Sequence, residues 1–293
     1  MHDDSPSLPS DTTHVLAVAV GNTRTRVGLF RGKDLADPVS LPNDAIEPLV
    51  AAVLRALEGS HATPVVIATV NALFADKLEV RLEEAVGDEV YRIGRDLRIP
   101  LTHTLDDAAT VGQDRLLCAL GAFKRAGQAC VVIDAGTAVT VDFVDGEGVF
   151  HGGVIAPGVR MMLASLHERT AALPSLEPEA PDPARGPFGK DTRHAMLLGV
   201  RGAVQGLVHL MIDRYAEHYE AYPQIIATGG DAATLFEGDD LIEHIVPDLQ
   251  LVGILETCLA ELTGDDDADD PDAPRTVHDR DESPDADEDD GDD

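Results

Sequence analysis

Two short stretches hold residues that could grip a phosphate. Residues 17–23 read AVAVGNT and residues 132–138 read VIDAGTA. Each runs an apolar segment into a turn of small residues, Gly21-Asn22-Thr23 in one and Gly136-Thr137-Ala138 in the other. Such a turn leaves several backbone N–H groups unpaired and close together, which makes a nest for an anion, and its small side chains let a phosphate approach. Thr23 and Thr137 add hydroxyl donors. Asp134, two residues before the second glycine, could hold a cation beside those phosphates; the first stretch has Ala19 at that place. Two such loops on opposing domains would hold a triphosphate from both sides, although each loop alone is also ordinary hairpin chemistry.

The elements that must position these loops read as mixed α/β. Strands are expected over residues 14–21, 25–31 and 63–69, and helices over 46–57, 72–85 and 114–127. The last of these opens on Asp114, an acidic residue of the kind that helix starts favour. The pattern then restarts. Residues 130–134 and 138–144 read as a hairpin, 152–157 as a short strand or loop, 158–173 as a helix and 175–187 as a proline-rich loop. A long helical stretch over 192–221, a strand over 224–228, a short strand over 244–246 and a helix over 249–262 complete the body. Shifting the chain by 115 residues places Gly21 on Gly136 and Thr25 on Thr140. This internal duplication predicts two like domains facing each other across a cleft, over residues 14–128 and 129–264. Residues 1–13 read as a disordered arm, and the Asp-rich residues 265–293 as a disordered tail.

Composition narrows the function. The chain has 293 residues and a formal net charge of −32. The tail from Asp265 onward holds 16 of the 54 acidic residues and two of the 22 basic ones, so the body is acidic as well. That balance argues against binding nucleic acid, whose phosphates demand a basic footprint. A strongly hydrated acidic surface with only four Lys suits a cell of high internal salt, where screening removes the self-repulsion. No window approaches a membrane-spanning run, and the acidic, polar N-terminus is unlike a signal peptide. Cys118, Cys130 and Cys258 lie far apart in apolar contexts, which points to buried thiols in a reducing cytoplasm. His103, His151 and His167 lack metal-ligand spacing.

The motifs taken in series resemble the type III pantothenate kinases, members of the actin/sugar-kinase/Hsp70-like superfamily. The family's opening Asp-x-Gly-Asn-Thr corresponds to residues 19–23, its Gly-x-Asp-Arg to Gly112-Gln113-Asp114-Arg115, and its Asp-x-Gly-Thr-Ala to residues 134–138. GGVIAPGVRMMLASLHERTAALP (residues 152–174), GKDTRHAMLLG (189–199) and ATGGDA (227–232) follow in the family's order. The resemblance covers roughly residues 14–262 and implies duplicated actin-like (ribonuclease H-like) domains with a cleft between them. It implies transfer of the γ-phosphoryl of ATP to the hydroxyl of pantothenate, with magnesium and a monovalent cation, potassium or ammonium, in a cytoplasmic homodimer.

Roles follow residue by residue from that resemblance. Asp114 would be the general base, and Gly112, Gln113, Arg115 and Thr192 would bind pantothenate, Arg115 through its carboxylate. The first loop and the strand after it, Ala19, Val20, Gly21, Asn22, Thr23, Arg24, Thr25 and Arg26, would bind the nucleotide together with Thr137. Asp134 would hold the monovalent cation, and residues 227–230 would let the backbone close on the adenosine. From the residues alone, Asp114 could equally be a first-turn acid, Arg115 a surface arginine and Thr192 a helix cap.

There are two departures. Leu105 stands where the family has a pocket tyrosine seven residues before Gly112, and Ala19 replaces the first-loop Asp. Losing one preorganised electrostatic group of that kind costs about 2.7–4 kcal/mol, on the order of 100- to 1000-fold in rate. The expected enzyme is therefore slowed. The alternative from another class is a degenerate member that binds nucleotide or pantothenate as a regulator, and a weaker one is a phosphohydrolase on the same fold.

Overall fold

A computed structural model describes residues 8, 9, 12–60 and 62–264. The acidic tail and most of the N-terminal arm lie outside the described residues.

The first sheet is built from β1 (His14–Val20), β2 (Arg24–Arg31), β3 (Asp34–Pro42), β4 (Val65–Thr69) and β5 (Val90–Arg92), in the order β3-β2-β1-β4-β5. The second is built from β6 (Cys130–Ala135), β7 (Ala138–Val144), β8 (Phe150–Pro157), β9 (Gln224–Thr228) and β10 (His244–Ile245), in the order β8-β7-β6-β9-β10. These are the same sheet twice. In each, the first three strands form an antiparallel meander, and the fourth and fifth lie parallel to the first on its other side. The repeat read in the sequence is thus a repeat of topology.

Both central strands are buried on two faces, which is why they read as near-continuous apolar runs. Leu16, Val18 and Val20 pack against α1 (Glu47–Leu57) and α2 (Ala72–Val86). The opposite face, Val15, Ala17 and Ala19, packs against Leu251, Ile254 and Leu255 of α7 (Leu249–Thr263), and Leu8 of the expected arm is buried in the same cluster. In the second sheet, Val131, Ile133 and Ala135 meet Val204, Val208 and Ile212 of α5 (Thr192–Tyr219), together with α6 (Ala232–Phe236). Cys130 and Val132 face Cys118, Ala119 and Ala122 of α3 (Gln113–Ala126). Leu163 of α4 (Val159–Glu168) packs beside the start of α5.

The layer between the sheets is therefore the pair α3 and α7. They approach at two glycines. A Cβ on Gly253 would lie 2.0 Å from the Leu117 carbonyl oxygen, and one on Gly121 would lie 2.7 Å from the Leu249 carbonyl oxygen. Local signals fix the ends of the layer. Asp114 sits in the first turn of α3 and Lys124 and Arg125 in its last, matching the helix dipole, and Gly127 closes it at φ 64°.

The structure adds elements that the sequence pattern does not announce. β3 is an edge strand with Pro38 and Pro42, mostly exposed, and reads as a loop. β5 and α6 are too short to show a period. The helix expected over 158–173 ends at Glu168, and β8 begins at Phe150, two residues earlier than expected. Contrary to the reading of the sequence, α5, 28 residues with mean hydropathy 1.5 in its most apolar window, is long and apolar enough to cross a membrane. Here its apolar side is the helical wall of the second core. Cys118, Cys130 and Cys258 are buried and free, as expected.

Replacing Gly253 with Val should force α3 and α7 apart and cost about 3 kcal/mol or more. Urea unfolding at constant KCl checks this; an unchanged midpoint would show that the two backbones do not need to touch.

Candidate active site

The duplication brings the two small-residue turns face to face. Thr23 Oγ1 lies 3.2 Å from Thr137 Oγ1, so the loops after β1 and β6 meet across the cleft. The nest differs in detail from expectation. The Gly21 N–H donates to the Arg24 carbonyl at 3.0 Å and the Gly136 N–H to the Ala138 carbonyl at 2.9 Å, so each glycine closes its own turn. The N–H groups of Asn22, Thr23 and Thr137, all at exposed positions, carry no intramolecular bond among the described residues and are free for a ligand.

Asn43 braces the first loop. Its Nδ2 donates to the Gly21 carbonyl at 2.8 Å, its backbone N–H donates to the Thr23 carbonyl at 2.9 Å, and its Oδ1 accepts from Thr25 Oγ1 at 2.7 Å. Thr25 is fully buried and serves this brace. Arg24 turns away onto β3, donating to Ser40 Oγ at 3.0 Å and to the Ser40 carbonyl at 2.7 Å. Val20 points into the α1/α2 core, and Ala19 into the core beneath α7. Arg26, directly opposite Ala19 across the β1–β2 ladder, pairs with Asp248 at 2.5 Å. Within the expected nucleotide segment, then, Gly21, Asn22 and Thr23 form the open loop, while Val20, Arg24 and Thr25 support it.

Both halves supply the acids. Asp134, at the end of β6, is half-buried, and Gly229 in the turn after β9 closes over it. Gly229 has φ +95°, and a Cβ there would come within 2.4 Å of Asp134 Oδ1 and 2.3 Å of the Ala135 carbonyl oxygen, so only glycine fits. Asp114, on the first turn of α3, accepts from the Arg115 N–H at 2.8 Å. Gln113 ties this turn to the first sheet: its Nε2 donates to the Ile93 carbonyl at 3.0 Å and its Oε1 accepts from the Thr69 N–H at 3.4 Å.

Arg115 grips Asp142 in the middle of β7, with Nε 3.1 and 3.2 Å from its two carboxylate oxygens and Nη2 closing the fork. Asp142, 1% exposed, is a site residue that sequence reasoning missed. The available signal was a single Asp inside the apolar strand AVTVDFV, a position that must be buried and therefore must have a cationic partner. Leu105 packs against the cluster that holds Cys118, Val132 and Phe150, beside Gly152. Thr192 is exposed at the start of α5, beside the capping Asp191.

Three carboxylates thus share one partly desolvated region. Burial pushes the Asp114 carboxyl up, opposed by the Arg115 N–H and charge. Burial also raises Asp142, opposed by Arg115. Asp134 is pushed up to about 7 by burial and by the charges of Asp114 and Asp142, with only Arg26 pulling the other way. A cation beside a carboxylate held so reluctantly charged would relieve its burial and the repulsion of its neighbours. No group of three or more His, Cys, Asp or Glu among the described residues could hold a metal by itself. A divalent ion here would therefore depend on phosphate oxygens for most of its ligands.

Two sheets of one topology, the turn after the central strand of one meeting its counterpart at Thr23 and Thr137, define the duplicated actin-like class. A solved structure of a conserved Baf family protein from Campylobacter jejuni shares the fold, with a TM-score of 0.52 at 18% identity over 85% of this chain and 99% of that one. The family model described as type III pantothenate kinase matches residues 15–214. The type III pantothenate kinase of Frankia alni is 34% identical over 250 residues, 82% of this chain and 96% of that protein. That of Syntrophotalea carbinolica is 28% identical over 249 residues, again 82% and 96%. The chain belongs to the type III pantothenate kinase family.

The Asp134 shift has a sign that can be measured. A free aspartate titrates near 3.9, so between about pH 4 and 7 the folded protein holds more protons at Asp134 than the unfolded chain does. Its contribution therefore turns unfavourable as pH rises through that window, by at most about 4 kcal/mol. Asp134→Asn should be more stable than the parent at pH 8, with the gain shrinking toward pH 4. Paired urea titrations at the two pH values test this; an equal difference at both would mean that Asp134 is not strained.

Proposed function

We propose a division of labour among these residues for the family's reaction, in which the γ-phosphoryl of ATP passes to the hydroxyl of pantothenate and gives 4'-phosphopantothenate, the first step toward coenzyme A. The protein is an ATP-dependent pantothenate kinase. The observation that carries the assignment of roles is the meeting of the two loops, Thr23 against Thr137, beside Asp114, Arg115 and Asp134.

Asp114 accepts the proton of the attacking hydroxyl. Its half-buried setting raises its basicity above that of a free carboxylate, which suits a reaction that needs orientation and late proton acceptance. Arg115 is held rigid by Asp142, and its remaining N–H donors face the pantothenate carboxylate. The free N–H groups of Asn22, Thr23 and Thr137, with the two hydroxyls, cradle the phosphates. Asp134 is the place for potassium or ammonium. Magnesium, carried by the nucleotide, would neutralise phosphate charge and help to align the transfer. An exposed Thr192 suits a pantothenate pocket completed by a second copy of the chain, and the acidic surface suits a salt-rich cytoplasm.

Purified protein in concentrated KCl should convert pantothenate and ATP to phosphopantothenate and ADP. Asp114→Asn should retain the fold and lose about 100-fold or more in kcat with a smaller change in KM. Absence of phosphopantothenate, or a variant as fast as the parent, would sink this reading of the site.

A further inference from the structure

The two hairpins are copies of one another, but their charges are reversed. In the second, the strand before the turn carries Asp134, and its cross-strand neighbour is the neutral Thr140. In the first, the equivalent position is Ala19, and its cross-strand neighbour is Arg26. Residues directly opposite in an antiparallel pair project to the same face with Cβ atoms about 5 Å apart, so Arg26 rises beside the Ala19 methyl toward α7. Its guanidinium reaches Asp248, which stands immediately before α7, and its charge is felt at Asp134 across the cleft. The first loop therefore presents a cation where the second presents an anion.

Arg26 also has donors to spare. Its contact with Asp248 is an ion pair without hydrogen-bond alignment: Arg26 Nε and Asp248 Oδ1 are both buried and find no hydrogen-bond partner among the described residues. The neighbouring arginines are committed elsewhere, Arg24 to Ser40 and Arg115 to Asp142. The Arg26 side chain is nevertheless 28% exposed, and the N–H groups on its open side are the ones a phosphate oxygen at the adjoining loop would meet, as a charge-assisted contact.

We propose that Arg26 holds the terminal phosphates of the nucleotide from the first-loop side, supplying there the positive charge that a carboxylate-bound divalent ion could not supply next to Ala19. The residue is a phosphate-binding group of this chain, and nucleotide binding depends less on magnesium than it would with an acid at position 19. The proposal rests on the kinase reading above.

Titration calorimetry with ATP, with magnesium and with EDTA at the same KCl concentration, tests it on the full chain. The parent should bind ATP in EDTA within about tenfold of its affinity with magnesium. Arg26→Met should weaken binding in EDTA by about 10- to 100-fold and binding with magnesium by less, while Arg26→Lys should retain most of the affinity. The double variant Ala19→Asp with Arg26→Met should bind tightly only when magnesium is present. A parent whose affinity collapses more than about 100-fold in EDTA, or an Arg26→Met protein unchanged there, overturns the role of Arg26 and leaves the kinase reading standing. A parent that binds no ATP under either condition overturns the kinase reading itself. The parent measurement decides the matter even if a variant fails to fold.

Discussion

The site depends on α3 and α7 being able to touch. Among the described residues these two helices form the layer shared by the two cores, and each brings one end to the cleft: α3 carries Asp114 and Arg115 in its first turn, and Asp248 immediately precedes α7. Gly121 and Gly253 let the backbones meet where any side chain would strike a carbonyl. Close backbone approach fixes helix position more tightly than side-chain packing, because no rotamer can move to relieve an error. The bond from Gln113 to Ile93 and the pair between Arg26 and Asp248 tie the same layer to the first sheet. The Arg115–Asp142 pair ties it to the second. The first turn of α3 and the residue before α7 are thus hung between the two sheets from one glycine-lined crossing.

That arrangement explains how a strongly acidic protein keeps a cluster of acids in its cleft. Asp114, Asp134 and Asp142 repel one another in a partly desolvated space, and only one pairing there is well made. The buried Arg115–Asp142 pair adds little net stability against an apolar alternative, but removing either partner would leave a charge stranded, so the pair locks the orientation of Arg115. Asp134 has no such partner among the described residues. Its strain is relieved by protonation or by a cation, and that is how a site can be made to wait for an ion. High salt screens the acidic exterior and leaves this sheltered interior largely unscreened.

Much of this was legible in the sequence, for local reasons. The two turns, the strands leading into them and the helix opening at Asp114 follow from small-residue turns, apolar runs and helix-start chemistry, all of which act over a few residues. The duplication was visible because both copies kept their apolar strands. What was not legible depends on pairing at a distance. Nothing local says that α7 lies against β1, or that Asp142 takes Arg115 from 27 residues away. Asn43 looks like any loop asparagine until the register of β2 and β3 places it under the first turn. Edge strand β3, with its prolines and exposed side chains, carries none of the alternation by which a half-buried strand is recognised.

Register also decides how Ala19 is to be understood. Read along the chain, Ala19 is a missing acid, and the chain looks impaired. Read across the ladder, it is half of a pair whose other half is Arg26, and the quantity that matters is the charge of the pair. A duplicated fold makes such a trade accessible, because the two loops need not both anchor a cation for the triphosphate to be neutralised between them. A carboxylate under strain, Asp134, stands on one side, and an arginine stands on the other. Two loops descended from one pattern can then divide the task, one presenting fixed positive charge and the other a place for a mobile one, while the strand framework that aims them at the same phosphates stays unchanged.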